Sequence, residues 1–199
     1  MPKIIDKKEK RAKILEASIH IFAKKGLSNT KMADIAEAAN IGKGTVYEYF
    51  RSKGDILEAS FRHFLEGVEK VFSGKLAGVA DPLEKLTAYI LAWADVLESE
   101  YMEYVEIILD FWAEGIRTKG KFAMVDLPEY YGDSRKLVQS ILDECIKEKK
   151  IRPVDTLIVA SIILGCLDGL IIQWVIDRNI FDMKKSVCTL AEVIIEGLK

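Results

Sequence analysis

The sequence has little proline, glycine or cysteine, and each shortage excludes a class of protein. Its 199 residues include 4 prolines and 13 glycines, too few for a collagen, a linker or a disordered chain. The three cysteines are an odd number and form no Cys-x-x-Cys pair. This pattern argues against a disulfide framework or a zinc site and favours a reducing cytoplasm. We therefore expect a cytoplasmic protein without a metal or another cofactor.

The motifs of common enzyme classes are also missing. The sequence contains no P-loop, no Gly-x-Gly-x-x-Gly and no nucleophile elbow. Only two histidines occur, and no cysteine has a recognisable base beside it. We therefore expect that the chain is not an enzyme. A helical adaptor or a membrane-surface protein remains an alternative, and salt-dependent DNA binding with sequence preference would distinguish a regulator from both.

Charge is unevenly divided along the chain. Residues 1–63 hold 13 Lys and Arg against 8 Asp and Glu, a net charge of +5. The other residues hold 16 against 23, a net charge of −7, and the two parts give the overall −2. A basic N-terminal part joined to an acidic body is typical of a DNA-binding protein whose second domain does not bind DNA.

Apolar residues recur every three or four positions and no strand-like alternation persists, so the sequence predicts an all-α fold of about nine helices. Gly26 is expected to end the first helix in the left-handed conformation. A glycine-containing break is expected over 73–81, and segment 119–128 is the least decided and fits a loop. The predicted helices cover about residues 7–25, 31–39, 43–50, 52–72, 82–98, 101–117, 129–150, 154–178 and 183–198.

Residues 31–50 have the spacing of a helix-turn-helix. Ala36 is small where two helices must cross closely, and Asn40 lies four residues later, where the turn needs a left-handed backbone. Ile41 and Val46 supply apolar side chains that hold the second helix against the first. The alternative is an incidental helix pair in which these residues serve packing alone.

The second helix of this pair has an unusual outer face. Its side chains are short, basic or hydroxyl-bearing, which suits phosphate oxygens and base edges. Glu48 is an exception, because an acid accepts a hydrogen bond from cytosine but repels phosphate. Residues just before and after the pair are expected to clamp the DNA backbone. The predicted DNA contacts are Thr30, Lys31, Lys43, Gly44, Thr45, Tyr47, Tyr49 and Lys53.

Three segments of the N-terminal part resemble the TetR/AcrR family of regulators: ILEASIHIFAKKG at 14–26, ADIAEAA at 33–39 and IGKGTVYEYFRSKGDIL at 41–57. The resemblance spans about residues 8–68. It implies an all-helical homodimer with a DNA-binding domain, here 1–52, and a domain that dimerises and often holds a small-molecule pocket, here 53–199. It places the family's DNA contacts on the same eight residues and makes repression the expected outcome. The operator, the ligand and the regulated genes stay open.

The most apolar segment, 157–167, predicts a buried helix, because its eleven residues are too few to span a membrane. Small residues recur on it every four positions and would let another helix approach closely, and the last helix has an apolar stripe. We expect both helices to form a four-helix dimer interface; the alternative is packing within one subunit. The predicted interface residues are Ser161, Gly165, Gly169, Val187, Leu190 and Ile194.

Aromatic residues of the C-terminal part predict a pocket for a small, largely hydrophobic ligand. Asp168 is the leading polar anchor, because a carboxylate beside an apolar run needs a partner. The alternatives are that the aromatic residues are plain core and that Asp168 faces solvent or a cation. Ligand binding would favour a subunit arrangement that no longer matches the operator. The predicted ligand contacts are Trp93, Met102, Tyr104, Phe111, Trp112, Tyr130, Asp168 and Gln173.

Overall fold

The computed structural model describes residues 7–99, 104, 105, 107, 112, 113, 116, 117, 121, 122 and 125–199. Within these residues it shows eight helices and one pair of two-residue strands, and the residues described between 104 and 117 are also helical. The expected all-α fold is confirmed. The helices are α1 (Lys7–Lys25), α2 (Met32–Ala38), α3 (Lys43–Tyr49), α4 (Lys53–Leu76), α5 (Pro82–Glu98), α6 (Leu127–Lys147), α7 (Thr156–Ile176) and α8 (Met183–Leu198), and the strands are β1 (Lys121–Phe122) and β2 (Val125–Asp126).

Helices α1, α2 and α3 pack as one group, α1 against α2 and α2 against α3. Their shared core includes Ile14 and Phe22 from α1, Ile35 from α2 and Val46 from α3, all buried. Gly26 ends α1 with a φ of 74°, as expected from the sequence, because glycine adopts the left-handed conformation without steric cost.

Several helix boundaries differ from the expected ones by one to four residues. Helix α2 begins one residue later than expected, with Lys31 as its cap, and the Asp34 carboxylate in the first turn accepts a hydrogen bond from the Lys31 backbone N–H at 2.8 Å. Helix α4 runs on to Leu76, beyond the end expected near residue 72. Its last turns include a glycine, which an otherwise helical segment tolerates.

Ser52 and Asp55 form a capping arrangement at the start of α4. The Ser52 hydroxyl accepts the Asp55 backbone N–H at 3.1 Å and donates to the Asp55 carboxylate at 2.7 Å. The same carboxylate accepts the Arg51 backbone N–H at 3.0 Å. These hydrogen bonds, that of the Ser52 hydroxyl above all, hold the pKa of Asp55 below its usual range. The acid therefore stays ionised and closes the turn between α3 and α4.

Helices α5 to α8 form a second group, in which α5 and α7 each pack against both α6 and α8. Three of these helices begin at an aspartate whose carboxylate accepts first-turn N–H groups: Asp81 for α5, Asp155 for α7 and Asp182 for α8. Asp81 also pairs with Lys150, and this contact holds the pKa of Asp81 below its usual range. The observed bounds of α5 and α8 match the predicted ones, since local caps define them.

Helix α7 departs from the expectation of a buried helix too short to span a membrane. Within the described residues it is the one helix long and apolar enough to cross a membrane, with 21 residues and a mean hydropathy of 2.1 over an 18-residue window. The helix is longer than the eleven-residue run because apolar residues continue past Asp168. Buried helices of soluble proteins pass the same test, yet only 28% of this segment is buried here. Ile163 and Leu167 lie on its buried face, while Leu157 and Ile158 are exposed.

By packing, the chain divides into two compact units. The first comprises Met1–Glu66 with Glu103–Val125, and the second comprises Gly67–Met102 with Asp126–Lys199. Helix α4 therefore contributes residues to both units. The boundary expected between a DNA-binding domain, 1–52, and a second domain, 53–199, is defined by function rather than by packing, and it stays a prediction.

Candidate nucleic-acid interface

The turn between α2 and α3 has the geometry that a helix-turn-helix requires. Asn40 has a φ of 53°, the left-handed conformation expected from its position, which asparagine adopts more readily than most residues. The Ile41 backbone N–H donates to the Ala36 carbonyl at 3.0 Å. Val46 is fully buried. Helix α3 is therefore held against its neighbours through one face.

The other face of α3 is accessible. Lys43, Gly44 and Tyr47 are exposed, and the Lys43 Nζ atom lies 5.9 Å from the centroid of the Tyr47 ring. Thr45 and Tyr49 are half-buried. The predicted contacts on α3 thus present a cation and a phenol side by side on a short open surface.

Thr30 is not placed to contact DNA, contrary to expectation. Its side chain is 1% exposed, and its hydroxyl donates to the Gly26 carbonyl at 2.8 Å. Thr30 therefore joins the end of α1 to the start of α2, and it is not one of the surface residues that can contact DNA. The next residue, Lys31, is exposed, as is the acidic Glu48 on α3.

Lys53 is engaged within the chain. Its Nζ atom donates to the backbone carbonyls of Leu27 at 2.7 Å, Thr30 at 3.1 Å and Ser28 at 3.2 Å. The predicted phosphate contact would compete with these hydrogen bonds. Sequence spacing gave no signal of them, because the acceptors lie 23 to 26 positions earlier in the chain.

A second contact at the end of α3 was also missed. The guanidinium of Arg11 lies over the ring of Phe50, 5.1 Å from its centroid, and Phe50 is buried. Cation–π contacts of this kind contribute about 0.5–1 kcal/mol at exposed sites. Arg11 is not among the predicted DNA contacts, and here it packs on the residue that ends α3.

The predicted ligand contacts are divided between the two units. Tyr104 stacks on Phe64 in the first unit, with ring centroids 6.0 Å apart, and Trp112 is half-buried. Gln173 is exposed on α7 and donates to the Gly169 carbonyl at 3.0 Å. Met102 and Phe111 lie outside the described residues.

The remaining three predicted ligand contacts belong to the second unit. Asp168 accepts a hydrogen bond from the Tyr131 hydroxyl at 3.0 Å, while burial raises the pKa of Asp168 above its usual range. The ring of Tyr130 meets that of Tyr131 edge to face at 5.5 Å. Trp93 Nε1 is buried and lies beside the Tyr89 side chain, with which it interacts. The second unit thus holds a partly buried acid and a buried indole N–H.

A groove of about 800 Å³ lies between α7 and α8 and includes predicted interface residues. Gly169 and Leu190 line it. Ser161 and Gly165 are exposed on α7, and a Cβ atom built at Gly165 would meet nothing within 4 Å. The small residues of α7 therefore face open space in the single chain.

The interface residues expected on α8 do not all face outward. Val187 is 1% exposed and packs within its own subunit, so it is not available to contact a second subunit as expected. Ile194 is half-buried. Val193, beside it, is 63% exposed and was not predicted.

Comparison with known proteins gives a family match in the N-terminal part and similar proteins along almost the whole chain. Residues 14–60 match the family described as bacterial regulatory proteins, tetR family. The chain is 28% identical over 189 residues to the HTH-type transcriptional regulator BetI of Paraburkholderia phytofirmans, covering 94% of this chain and 92% of BetI. Among solved structures, the fatty acid degradation regulator FadR from Bacillus halodurans has a TM-score of 0.77 at 22% identity, covering 96% of this chain and 97% of FadR. AibR in complex with isovaleryl coenzyme A and operator DNA has a TM-score of 0.73 at 18% identity, covering 96% of this chain and 98% of AibR.

Proposed function

Because this chain belongs to the TetR family of bacterial transcriptional regulators, we propose that it is a cytoplasmic repressor. It binds a palindromic operator as a homodimer and is released by a small, largely hydrophobic ligand. The observation that carries the proposal is the open face of α3, where Lys43, Gly44 and Tyr47 are exposed while Val46 is buried. A helix-turn-helix reads the major groove through such a helix, held on one side and free on the other.

Each exposed residue has a role in this proposal. Lys43 supplies positive charge to a phosphate or to a guanine edge, and Tyr47 donates its hydroxyl to a phosphate. Gly44 adds no side chain between them, so the DNA can approach the helix closely. Lys31, exposed at the start of α2, binds the DNA backbone. These contacts replace condensed counterions, and binding weakens as salt rises.

A second copy of the chain covers the exposed face of α7 in this proposal. Leu157, Ile158 and Ile162 are 51%, 56% and 50% exposed, and Val193 on α8 is 63% exposed. Contiguous exposed apolar surface marks an interaction site in a soluble protein. Gly165 leaves room for a close helix approach, and two-fold pairing is the commonest symmetry of homo-oligomers. Such a dimer offers two copies of α3 to the two halves of a palindrome.

A membrane is the other environment that would cover α7. Asp168 favours the dimer, because an acid near the middle of a membrane-spanning helix is costly. Fractionation of cells that express the chain separates the two. We expect the protein in the soluble fraction as a dimer, and recovery with the membranes would contradict the proposal.

For the ligand we propose the acyl group of an acyl-coenzyme A thioester, which is the hydrophobic part of the class represented by isovaleryl coenzyme A in the AibR complex. The second unit supplies polar groups that an otherwise apolar site needs for orientation. Trp93 supplies a buried indole N–H that can donate to a carbonyl oxygen. Asp168, whose pKa burial raises, is held by Tyr131.

The DNA proposal is tested by fluorescence anisotropy with a labelled duplex that covers the region upstream of the chain's own coding sequence. We expect Lys43→Ala to weaken binding at least about fivefold, since a base contact is worth about 1–3 kcal/mol. Lys136→Ala is the matched control: Lys136 is an exposed lysine of the second unit, paired with Asp133. Equal binding by both variants would refute the proposed role of α3.

The ligand proposal is tested with a series of acyl-coenzyme A thioesters of increasing chain length, added to the protein–DNA complex. We expect at least one to lower DNA affinity and free coenzyme A to have no effect. A ligand shifts the balance only through its different affinity for the two states. Binding of these thioesters without any change in DNA affinity would refute the coupling.

A further inference from the structure

Lys53 lies where a phosphate contact is expected, yet its ammonium group is already occupied. The three backbone carbonyls of Leu27, Ser28 and Thr30 accept from Lys53 Nζ at 2.7, 3.2 and 3.1 Å. An ammonium group has three N–H donors, so these three acceptors use all of them. The side chain is also half-buried, unlike those of Lys31 and Lys43, which are exposed.

The three acceptors lie in the loop that leads into α2. This loop already has local hydrogen bonds, since the Thr30 hydroxyl donates to the Gly26 carbonyl and the Asn29 side-chain amide donates to the Lys25 carbonyl at 3.1 Å. Those bonds join the loop to the end of α1. The Lys53 hydrogen bonds differ from them, because they reach the loop from α4, which follows α3 after a short turn.

We infer that Lys53 is a positioning residue, which binds no DNA itself but fixes the start of α2 relative to the end of α3. Residues 27–30 precede the helix-turn-helix and Lys53 follows it, so the ammonium group joins the two ends of the motif. Lys31, the proposed backbone contact, comes directly after the loop. Without this clamp, Lys31 and the start of α2 are free to move, which lowers DNA affinity although every phosphate partner is still present.

The dependence of affinity on salt separates a clamp from a phosphate contact. The slope of log K against log[salt] falls by about 0.9 for each phosphate that the protein no longer neutralises, or about 1.8 for a dimer in which both subunits carry the change. For Lys53→Met we expect affinity for the upstream duplex to fall about tenfold or more with the slope unchanged. For Lys31→Met, the matched control, we expect the slope to fall by about 1.8. A comparable fall in slope for Lys53→Met would overturn the inference.

Two further variants keep the test decisive if Lys53→Met folds poorly. Lys53→Arg retains the charge, but a planar guanidinium does not converge on three carbonyls as an ammonium does, so we expect its affinity to stay low. Lys53→Gln retains two N–H donors without charge, and we expect it to recover part of the affinity. Full recovery by arginine and none by glutamine would contradict the clamp.

Amide hydrogen exchange of the free protein tests the clamp independently of DNA, although the positioning role rests on the proposed function. We expect faster exchange at residues 27–31 in Lys53→Met than in the wild-type chain, with exchange in α5–α8 unchanged. If the wild-type chain bound no duplex, the proposed function would fail, while exchange would still decide whether Lys53 holds the loop. Unchanged exchange at 27–31, or reduced stability with normal DNA affinity, would overturn the positioning role.

Discussion

Replacing Gly165 by leucine is expected to convert the proposed dimer into folded monomers. Gly165 is exposed in the middle of α7, and a Cβ atom at this position meets nothing within 4 Å of the single chain. Within a helix, glycine is about 0.8–1 kcal/mol less favourable than alanine, while leucine is close to alanine. The substitution therefore stabilises the isolated subunit by a little under about 1 kcal/mol.

The same leucine has the opposite effect on subunit association. At a close helix–helix contact, added side-chain atoms cost about 1–3 kcal/mol through overpacking, and two-fold symmetry places two copies in the interface. The total of about 2–6 kcal/mol raises the dimer dissociation constant by about 30-fold to 10⁴-fold. Stability and association thus change in opposite directions, which a general folding defect cannot imitate.

Gly74→Leu is the matched control. Gly74 is also an exposed glycine within a helix, α4, and a Cβ atom there meets nothing within 4 Å. Sedimentation velocity over a range of protein concentrations should show dimers for the wild type and Gly74→Leu, and monomers for Gly165→Leu at low concentration. If Gly165→Leu remained a dimer at every concentration at which Gly74→Leu does, the interface assigned to α7 would be wrong.

Three further predictions follow from the described residues. Asn40→Ala should lower the free energy of unfolding in urea by about 1 kcal/mol relative to Asn40→Gly, because alanine is strained at a φ of 53°; equal stability would argue against this turn. Val46→Ala should lower the free energy of unfolding by about 1.5 kcal/mol or more. Tyr47→Ala should leave this free energy unchanged and weaken DNA binding in anisotropy titrations. The reverse pattern would show that α3 presents its other face to the DNA. The ion pair with Lys150 lowers the pKa of Asp81 in the folded state from its usual 3.8. The stability that this pair contributes is therefore present above pH 3.8 and is lost as the pH falls through the folded-state pKa. Asp81→Asn should flatten the loss of stability in acid, measured by urea unfolding, and an unchanged pH profile would contradict this.

Local signals explain the parts of the fold that sequence predicted well. Gly26 ends α1, the Ser52 cap begins α4, and Asp81 with Pro82 begins α5, and each acts on backbone groups within one helical turn. The left-handed conformation of Asn40 is equally local. Such features can be read from short windows of sequence, because both partners lie in the window.

Two departures from the sequence expectations depend on distant partners. Spacing predicted that Lys53 contacts DNA but could not show the three carbonyls, 23 to 26 positions away, that its ammonium group meets. It placed Val187 on an apolar stripe of α8, yet periodicity does not tell whether that stripe meets the same subunit or another, and Val187 is buried in its own. Helix α7 has an exposed face in the single chain, since an apolar run indicates burial without showing what covers it.

Selection of bound DNA from a random duplex library tests the central claim most directly. The claim is that two copies of α3, each open along Lys43, Gly44 and Tyr47, read two half-sites of one operator. We expect the wild-type chain to enrich a palindrome whose half-sites lie about one helical turn apart, at about 10–10.5 base pairs or a multiple, and Lys43→Ala to lose the enrichment. Recovery of no common sequence, or of the same sequence by Lys43→Ala, would contradict the account.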